Sequence, residues 1–154
     1  GDHRYLHSFP TRRSSDLQFV PTTMIDIRPL PLKLKGLNFV KGSILDLPFK
    51  DNTVECISSL CVIEHIGLGR YGDDVDSFGS EKSIKELQRV TKKNGYILFS
   101  VPTYRQNQIL FNANRVFTRN YVLKMFEDCK LIEEKYVYGN GFYNKYRKDF
   151  GIGC

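Results

Sequence analysis

Between residues 54 and 101 the hydrophobic period changes and then changes back, and few folds accommodate that pattern. Val54 to Leu60 (VECISSL) is a short, mostly apolar run with Ser58-Ser59 at its exit. Ser80 to Lys93 instead places Ile84, Leu87 and Val90 on one helical stripe, with Lys82, Lys85, Glu86 and Arg89 mainly outward. Tyr96 to Val101 (YILFSV) returns to a strand and is stopped by Pro102. Strand and helix alternating in this way argue for a three-layer α/β sandwich. Near-continuous apolar strands belong to sheets covered on both faces. Ser80 is the expected cap of the helix, and Lys92-Lys93 followed by Asn94-Gly95 its expected close.

The flanking segments extend the alternation. Thr22 to Ile27 and Leu37 to Ile44 read as strands, the first stopped by Pro29 and Pro31. A second helix is expected from Thr118, with Tyr121, Val122, Met125, Phe126 and Cys129 on one face. Leu131 to Tyr138 reads as a more polar strand that Gly139-Asn140-Gly141 turns back towards Phe142 to Tyr146. With 154 residues, 41% of them hydrophobic and 26% charged, the chain has the composition of one soluble globular domain. No apolar run approaches the ~20 residues of a membrane span, and no signal-peptide pattern opens the chain, so the cytosol is the default compartment.

The net charge is +6, but its lysines are scattered, whereas a nucleic-acid footprint prefers a stripe on one face. Cys56, Cys61, Cys129 and Cys154 lack CxxC spacing, and two of the three histidines, His3 and His7, lie in the opening segment. No metal site is expected. Cys56 and Cys61, in an apolar run, read as small buried hydrophobes.

The opening segment, Gly1 to Leu17, has no apolar period. Back-translated, His7 to Leu17 can be written as a common short-read sequencing adapter, and the preceding residues continue it in frame with Tyr5 as the single departure. Our hypothesis is that residues 1–17 are translated library sequence, set apart from a domain spanning 18–154.

Polar chemistry gathers between Gly42 and Gly72. Gly67-Leu68-Gly69-Arg70-Tyr71-Gly72 fits G-x-G-x-x-G letter for letter. A dinucleotide fingerprint must follow a strand directly and open a helix. Here Val62 to Ile66 intervenes and Asp73-Asp74-Val75-Asp76 follows, so a flexible, substrate-facing loop fits better. Asp73, Asp74 and Asp76 read as a hydrated acidic loop rather than a cation site. Glu64-His65 reads either as an acid/base pair, with the carboxylate raising the imidazole pKa, or as a helix-start pair making local hydrogen bonds. Asp26 falls at a strand's carboxyl end, where open α/β sheets place ligand contacts.

From Asp26 to Pro102 these residues carry a resemblance. GSILDLPFKDNTVECISSLCVIEHI is similar to the "G-D-A-x-x-L-P-F…S-F-D…S…L-E-H-I" block of class I S-adenosylmethionine-dependent methyltransferases, and KELQRVTKKNGYILFSVP to their "helix–R-V-L-K-P-G-G–strand–V-P" block. EHIGLGRYGD, after the fourth strand, resembles a poorly characterised group within that superfamily. The resemblance implies S-adenosylmethionine as cofactor, with Asp26 receiving the ribose hydroxyls, Ser43 facing the adenine amino group, Ile44 meeting the ring through its backbone N–H and Ser59 at the methionine end. His65, with Glu64, would lie near the methyl acceptor. Ser43 departs from the family's usual Asp and offers only a neutral hydrogen bond.

The family's first, central strand and its glycine-rich turn would precede Gln18. The expectation is therefore an α/β fold that is a partial Rossmann-like methyltransferase sandwich without that strand, its strand edges exposed. It would be a fragment of a methyltransferase with an unidentified acceptor, a small molecule favoured, and would itself bind cofactor poorly or not at all. The alternatives are a non-catalytic methyltransferase-like interaction domain and, behind it, a basic nucleic-acid-binding module. A native transcript is expected not to encode residues 1–17; sequencing one that does so upstream of Gln18 would sink the adapter hypothesis.

Overall fold

Ile84, Leu87 and Val90 recur at helical spacing, and all three are buried on one side of helix α1, Gly79–Val90. This stripe forms the core of the second of the two units into which the computed structural model divides, Gly1–Pro48 and Phe49–Cys154. The structure describes residues 21–29, 33–111, 113–138 and 141–145; residues 1–17 therefore lie outside it.

In the first unit, β1 (Thr22–Asp26) and β2 (Leu37–Lys41) form a parallel pair in which Thr22 faces Leu37 and Asp26 faces Lys41. Both strands stop short of the expected ends at Ile27 and Ile44. Arg28 and Asp26 form a local turn instead, and Ser43 bridges to Asp46.

In the second unit, β3 (Val54–Leu60) lies parallel to β4 (Thr91–Ser100), with α1 as the connection between them. This is the α/β alternation expected from the sequence, because a parallel pair needs a long crossover. The helix ends earlier than Lys93. Thr91 turns extended, and its hydroxyl donates to the Leu87 carbonyl at 2.6 Å. The N–H groups of Asn52 and Thr53 satisfy the Arg89 and Val90 carbonyls, so the turn before β3 closes the helix. Arg89 reinforces that closure through Glu86, Asp51 and the Phe49 carbonyl.

Asn94 does adopt a left-handed conformation (φ 63°), but within a bulge between β3 and β4 rather than at the helix end. Gly95 is required there for space: a Cβ would meet the Glu55 carbonyl oxygen at 2.8 Å. Ser80 is not the cap either. It is buried in the first turn and donates to the Ile63 carbonyl at 2.9 Å, while Asp76 accepts from the Phe78 N–H.

The expectation that β3 is covered on both faces is corrected. Cys56, Ser58, Tyr96 and Leu98, which pair across β3 and β4, are exposed, so Cys56 is not the buried hydrophobe expected. Alternation along the pair sends the intervening Ile57 and Ser59 to the more covered side.

Beyond β4, Gln108–Ile109 (β5) and Arg115–Val116 (β6) form a short antiparallel hairpin that places Arg115 and Val116 in the interior. Helix α2, Arg119–Met125, starts where expected, the Thr118 hydroxyl accepting from the Tyr121 N–H at 3.3 Å. It ends before Cys129, and Phe126 packs edge-on against Phe99 with ring centroids 4.9 Å apart. Of the predicted strand 131–138 only Tyr136–Tyr138 (β7) forms, paired with Gly141–Tyr143 (β8). Leu131 and Ile132 remain exposed, and Glu134 is drawn into an ion pair with Arg119. Among the described residues no helix is long and apolar enough to cross a membrane.

Truncating Ile84 to Ala is expected to cost about 2–5 kcal/mol, the range for a buried aliphatic side chain. Thr118→Ala is expected to cost about 1 kcal/mol through loss of the cap. Urea denaturation midpoints at constant slope check both.

Candidate functional site

Two residues beyond the carboxyl end of β3 comes a single turn of 3-10 helix, Ile63–His65, seated beneath α1. Small residues on the helix make the close approach workable. A Cβ at Gly79 would lie 2.7 Å from the Ile66 carbonyl oxygen, and Ser80 uses its hydroxyl on Ile63. Ile63 is fully buried as a result, and it takes Glu64 and His65 into the interior with it.

Glu64 retains only 2% of its exposure, and its Oε2 has no hydrogen-bond partner among the described residues. Burial pushes its pKa up to about 8; its own backbone N–H opposes the rise and Cys61 adds to it. The His65 Nε2 lies 4.0 Å from Glu64 Oε1, beyond hydrogen-bond reach. Of the two readings of the sequence, the acid/base pair has Glu64 as a charged neighbour of the imidazole, and the other has the pair making local hydrogen bonds. The structure instead keeps it largely protonated at neutral pH, because the turn that positions it also removes it from water. The two side chains come together, but as a proton-holding carboxyl beside an imidazole.

Other polar groups collect on the same ends. Ser59 is buried, and its Oγ lacks a hydrogen-bond partner among the described residues. Cys61 is half-buried at φ 53°, a conformation uncommon for a residue with a side chain, with its N–H bonded to Ser100 and its Sγ 3.4 Å from Ser100 Oγ. Ser100 ends β4, so both parallel strands deliver polar atoms at their carboxyl ends.

The glycine loop is braced rather than open. The Asp73 carboxylate accepts from the N–H groups of Gly67 at 2.6 Å and Tyr71 at 3.2 Å. Burial alone would raise the Asp73 pKa, but the N–H groups of Tyr71 and Gly67 bring it below the usual carboxylate range. These loop amides, the type that a nucleotide fingerprint would turn towards phosphate, are therefore committed to the chain's own anion. Gly67 is confined further: at φ 77°, a Cβ would strike the Asp76 carbonyl oxygen at 2.1 Å. Asp76 itself pairs with Lys82 at 2.6 Å.

Arg115, which the sequence reading missed, closes the loop. From the interior it donates to the Ile66 carbonyl, to the Asp76 carbonyl at 2.9 Å and to Ser80 Oγ at 3.4 Å. A strand of two residues has no period to read, so nothing in the sequence marked it as buried.

The remaining predicted residues lie in the first unit. Asp26 ends β1 with its carboxylate accepting from the Arg28 backbone N–H at 2.8 Å and from the Arg28 guanidinium. The Ser43 hydroxyl accepts from the Leu45 N–H at 3.1 Å, and Ile44 lies in the turn between them. Among the described residues no group of three or more His, Cys, Asp or Glu side chains could hold a metal ion.

The Glu64 proton makes stability depend on pH. With its folded pKa raised to about 8 from 4.5, the folded state holds a proton that the unfolded chain releases above about pH 4.5. Its contribution is thus fully present below 4.5 and is lost as pH rises to about 8. Glu64→Gln is expected to remove this dependence, so that its stability relative to the unsubstituted protein is higher at pH 8 than at pH 4.5 by on the order of a few kcal/mol. Denaturation curves at the two pH values check it.

Comparison with known proteins bears on the fold and the family. An S-adenosylmethionine-dependent methyltransferase of Thermotoga maritima superposes with a TM-score of 0.50 at 18% identity, covering 77% of this chain and 63% of the other. The chain thus has a methyltransferase-like α/β fold. An uncharacterised protein of Methanocaldococcus jannaschii is 28% identical over 104 residues, 66% of this chain and 40% of that protein's length. The chain therefore spans less than half of that relative. A family model matches residues 46–136, more than half of the chain and the whole stretch from the turn before β3 to the start of β7. On that match the chain belongs to the DUF268 family, described as a Caenorhabditis protein of unknown function.

Proposed function

We propose that this chain is part of an S-adenosylmethionine-dependent methyltransferase that methylates a small-molecule acceptor, with His65 and Glu64 on the acceptor side. The observation that carries the reading is the buried Glu64–His65 pair at the carboxyl end of a parallel strand, where open α/β sheets bind ligands. The fold supports it without deciding it, since one fold hosts many chemistries.

The fit of the residues to the cofactor rests on Ser59, a buried hydroxyl that the chain leaves without a partner among the described residues. Ser59 would meet the cofactor's methionine end, Asp26 the ribose diol, and Ser43 and Ile44 the adenine edge. Asp26 has two acceptor oxygens suited to two vicinal hydroxyls, and its present partner Arg28 is mostly exposed, an exchangeable surface pair. When bound, S-adenosylmethionine supplies an electrophilic methyl group on sulfonium sulfur. The chain's own work is to hold the nucleophile in line and to remove its proton. His65 is the base in this reading, and the protonated Glu64 carboxyl donates a hydrogen bond to an oxygen of the acceptor.

We read the architecture as a partial Rossmann-like sandwich lacking the first strand and its glycine-rich turn. A second reading, a non-catalytic methyltransferase-like interaction domain, draws on one observation: the side chains of Asp26 and Ser43 are both engaged by neighbours in the chain.

Calorimetric titration with S-adenosylmethionine is expected to show saturable binding by the intact protein and none in the micromolar range by residues 1–154. His65→Gln is expected to retain binding and to lower transfer of labelled methyl to small molecules by about 10²–10⁴-fold. Absence of binding by the intact protein would overturn the reading in favour of the interaction domain. Micromolar binding by residues 1–154 would overturn the missing-turn part alone.

A further inference from the structure

The Tyr71 ring stands edge-on to the His65 imidazole, centroids 5.5 Å apart and planes at 89°. Its backbone N–H is bonded to Asp73 Oδ1, which restricts the direction in which the side chain leaves the loop. The same carboxylate takes the Gly67 N–H, joining the start of the loop to its middle. Arg115 ties both ends by donating to the Ile66 and Asp76 carbonyls, and the Asp76 N–H closes on the Gly67 carbonyl at 2.9 Å. Arg70 lies over the Tyr71 ring at 5.6 Å and donates to the Ala113 carbonyl at 2.8 Å, fixing the outer side to the β5–β6 hairpin.

A ten-residue loop on a surface would ordinarily sample many conformations. This one is restrained at both ends, in the middle and at the ring, and these restraints converge on a single contact. We propose that Asp73 and Arg115 are positioning residues that hold Tyr71 against His65, making the Gly67–Asp76 loop a fixed wall of the acceptor site. The placement of Tyr71 stands on the geometry alone; its meaning for an acceptor rests on His65 being the base of the proposed methyl transfer. A wall built from one aromatic ring and backbone favours a flat or apolar acceptor moiety beside the nucleophile over a highly charged one, since Asp73 already supplies the loop's anion.

Nuclear magnetic resonance on the full chain tests the positioning without cofactor or transfer, so its failure is distinguishable from failure of the methyltransferase reading. In the unsubstituted protein, cross-relaxation between the Tyr71 and His65 rings is expected. Asp73→Asn keeps the side chain's size but loses the charged acceptor. It is expected to speed amide exchange at Gly67 and Tyr71 about tenfold or more, to abolish the ring–ring cross-peak and to move the His65 ring protons to their position in Tyr71→Leu. Adding Asp73→Asn to Tyr71→Leu is expected to move them no further, the mark of action through Tyr71. Arg115→Lys, which loses the two-nitrogen fork that spans the Ile66 and Asp76 carbonyls, is expected to give the same loss; should it fail to fold, the Asp73 series decides. Survival of the cross-peak in Asp73→Asn despite faster exchange would overturn the proposal. So would an equal His65 displacement in the Tyr71→Leu background.

Discussion

The second unit depends on the seating of the Ile63–His65 turn beneath α1. Gly79 and Ser80 leave room for a backbone turn where larger residues would have held it off, and Ser80 supplies a hydrogen bond in place of a methyl contact. That packing joins β3 to the helix that leads into β4, so it organises the parallel pair. It also removes Glu64 from water. An ionised carboxyl without a partner would be costly there, and the group keeps its proton instead. The fold's core and the site's protonation state thus have one cause.

The loop beyond the turn shows the same economy. Its amides and positive-φ glycines have the chemistry of an anion nest, but Asp73 provides the anion from within the chain. Arg115 then satisfies its buried guanidinium with backbone carbonyls from both ends of the loop and with a serine hydroxyl. A buried cation bonded in this way demands that its carbonyl partners stay put, because a displaced carbonyl would leave charge-bearing donors unsatisfied. The hairpin that carries Arg115 is short and irregular, yet it determines the shape of the loop.

Where the chain is periodic, its sequence was legible. The bounds of β3 and the buried stripe of α1 agree with the pattern, since each residue's face follows from a repeat of about 2 or 3.6. The legibility fails at element ends and in short elements. Ser80 has the chemistry of a cap but sits two residues past the cap position at Phe78, because Asp76 and the preceding turn already start the helix. Asn94-Gly95 has the chemistry of a helix close, but Thr91 ends the helix first and the pair serves a bulge. Cys56 looks buried in an apolar run, yet it lies on the sheet face shared with Tyr96 and Leu98.

The pairing of Glu64 with His65 and the glycine-rich loop after it were visible as residue types at adjacent positions. Sequence alone determined the βαβ alternation, the amphipathic helix and the collection of polar groups after β3, because each is a local property of periodicity or adjacency. Tertiary structure alone decided that Glu64 is buried with its pKa raised, that the loop amides are satisfied by Asp73 and that Arg115 braces the loop from a distant hairpin. Those outcomes depend on desolvation and on contacts between residues far apart in the chain, and neither quantity is written in the order of the residues.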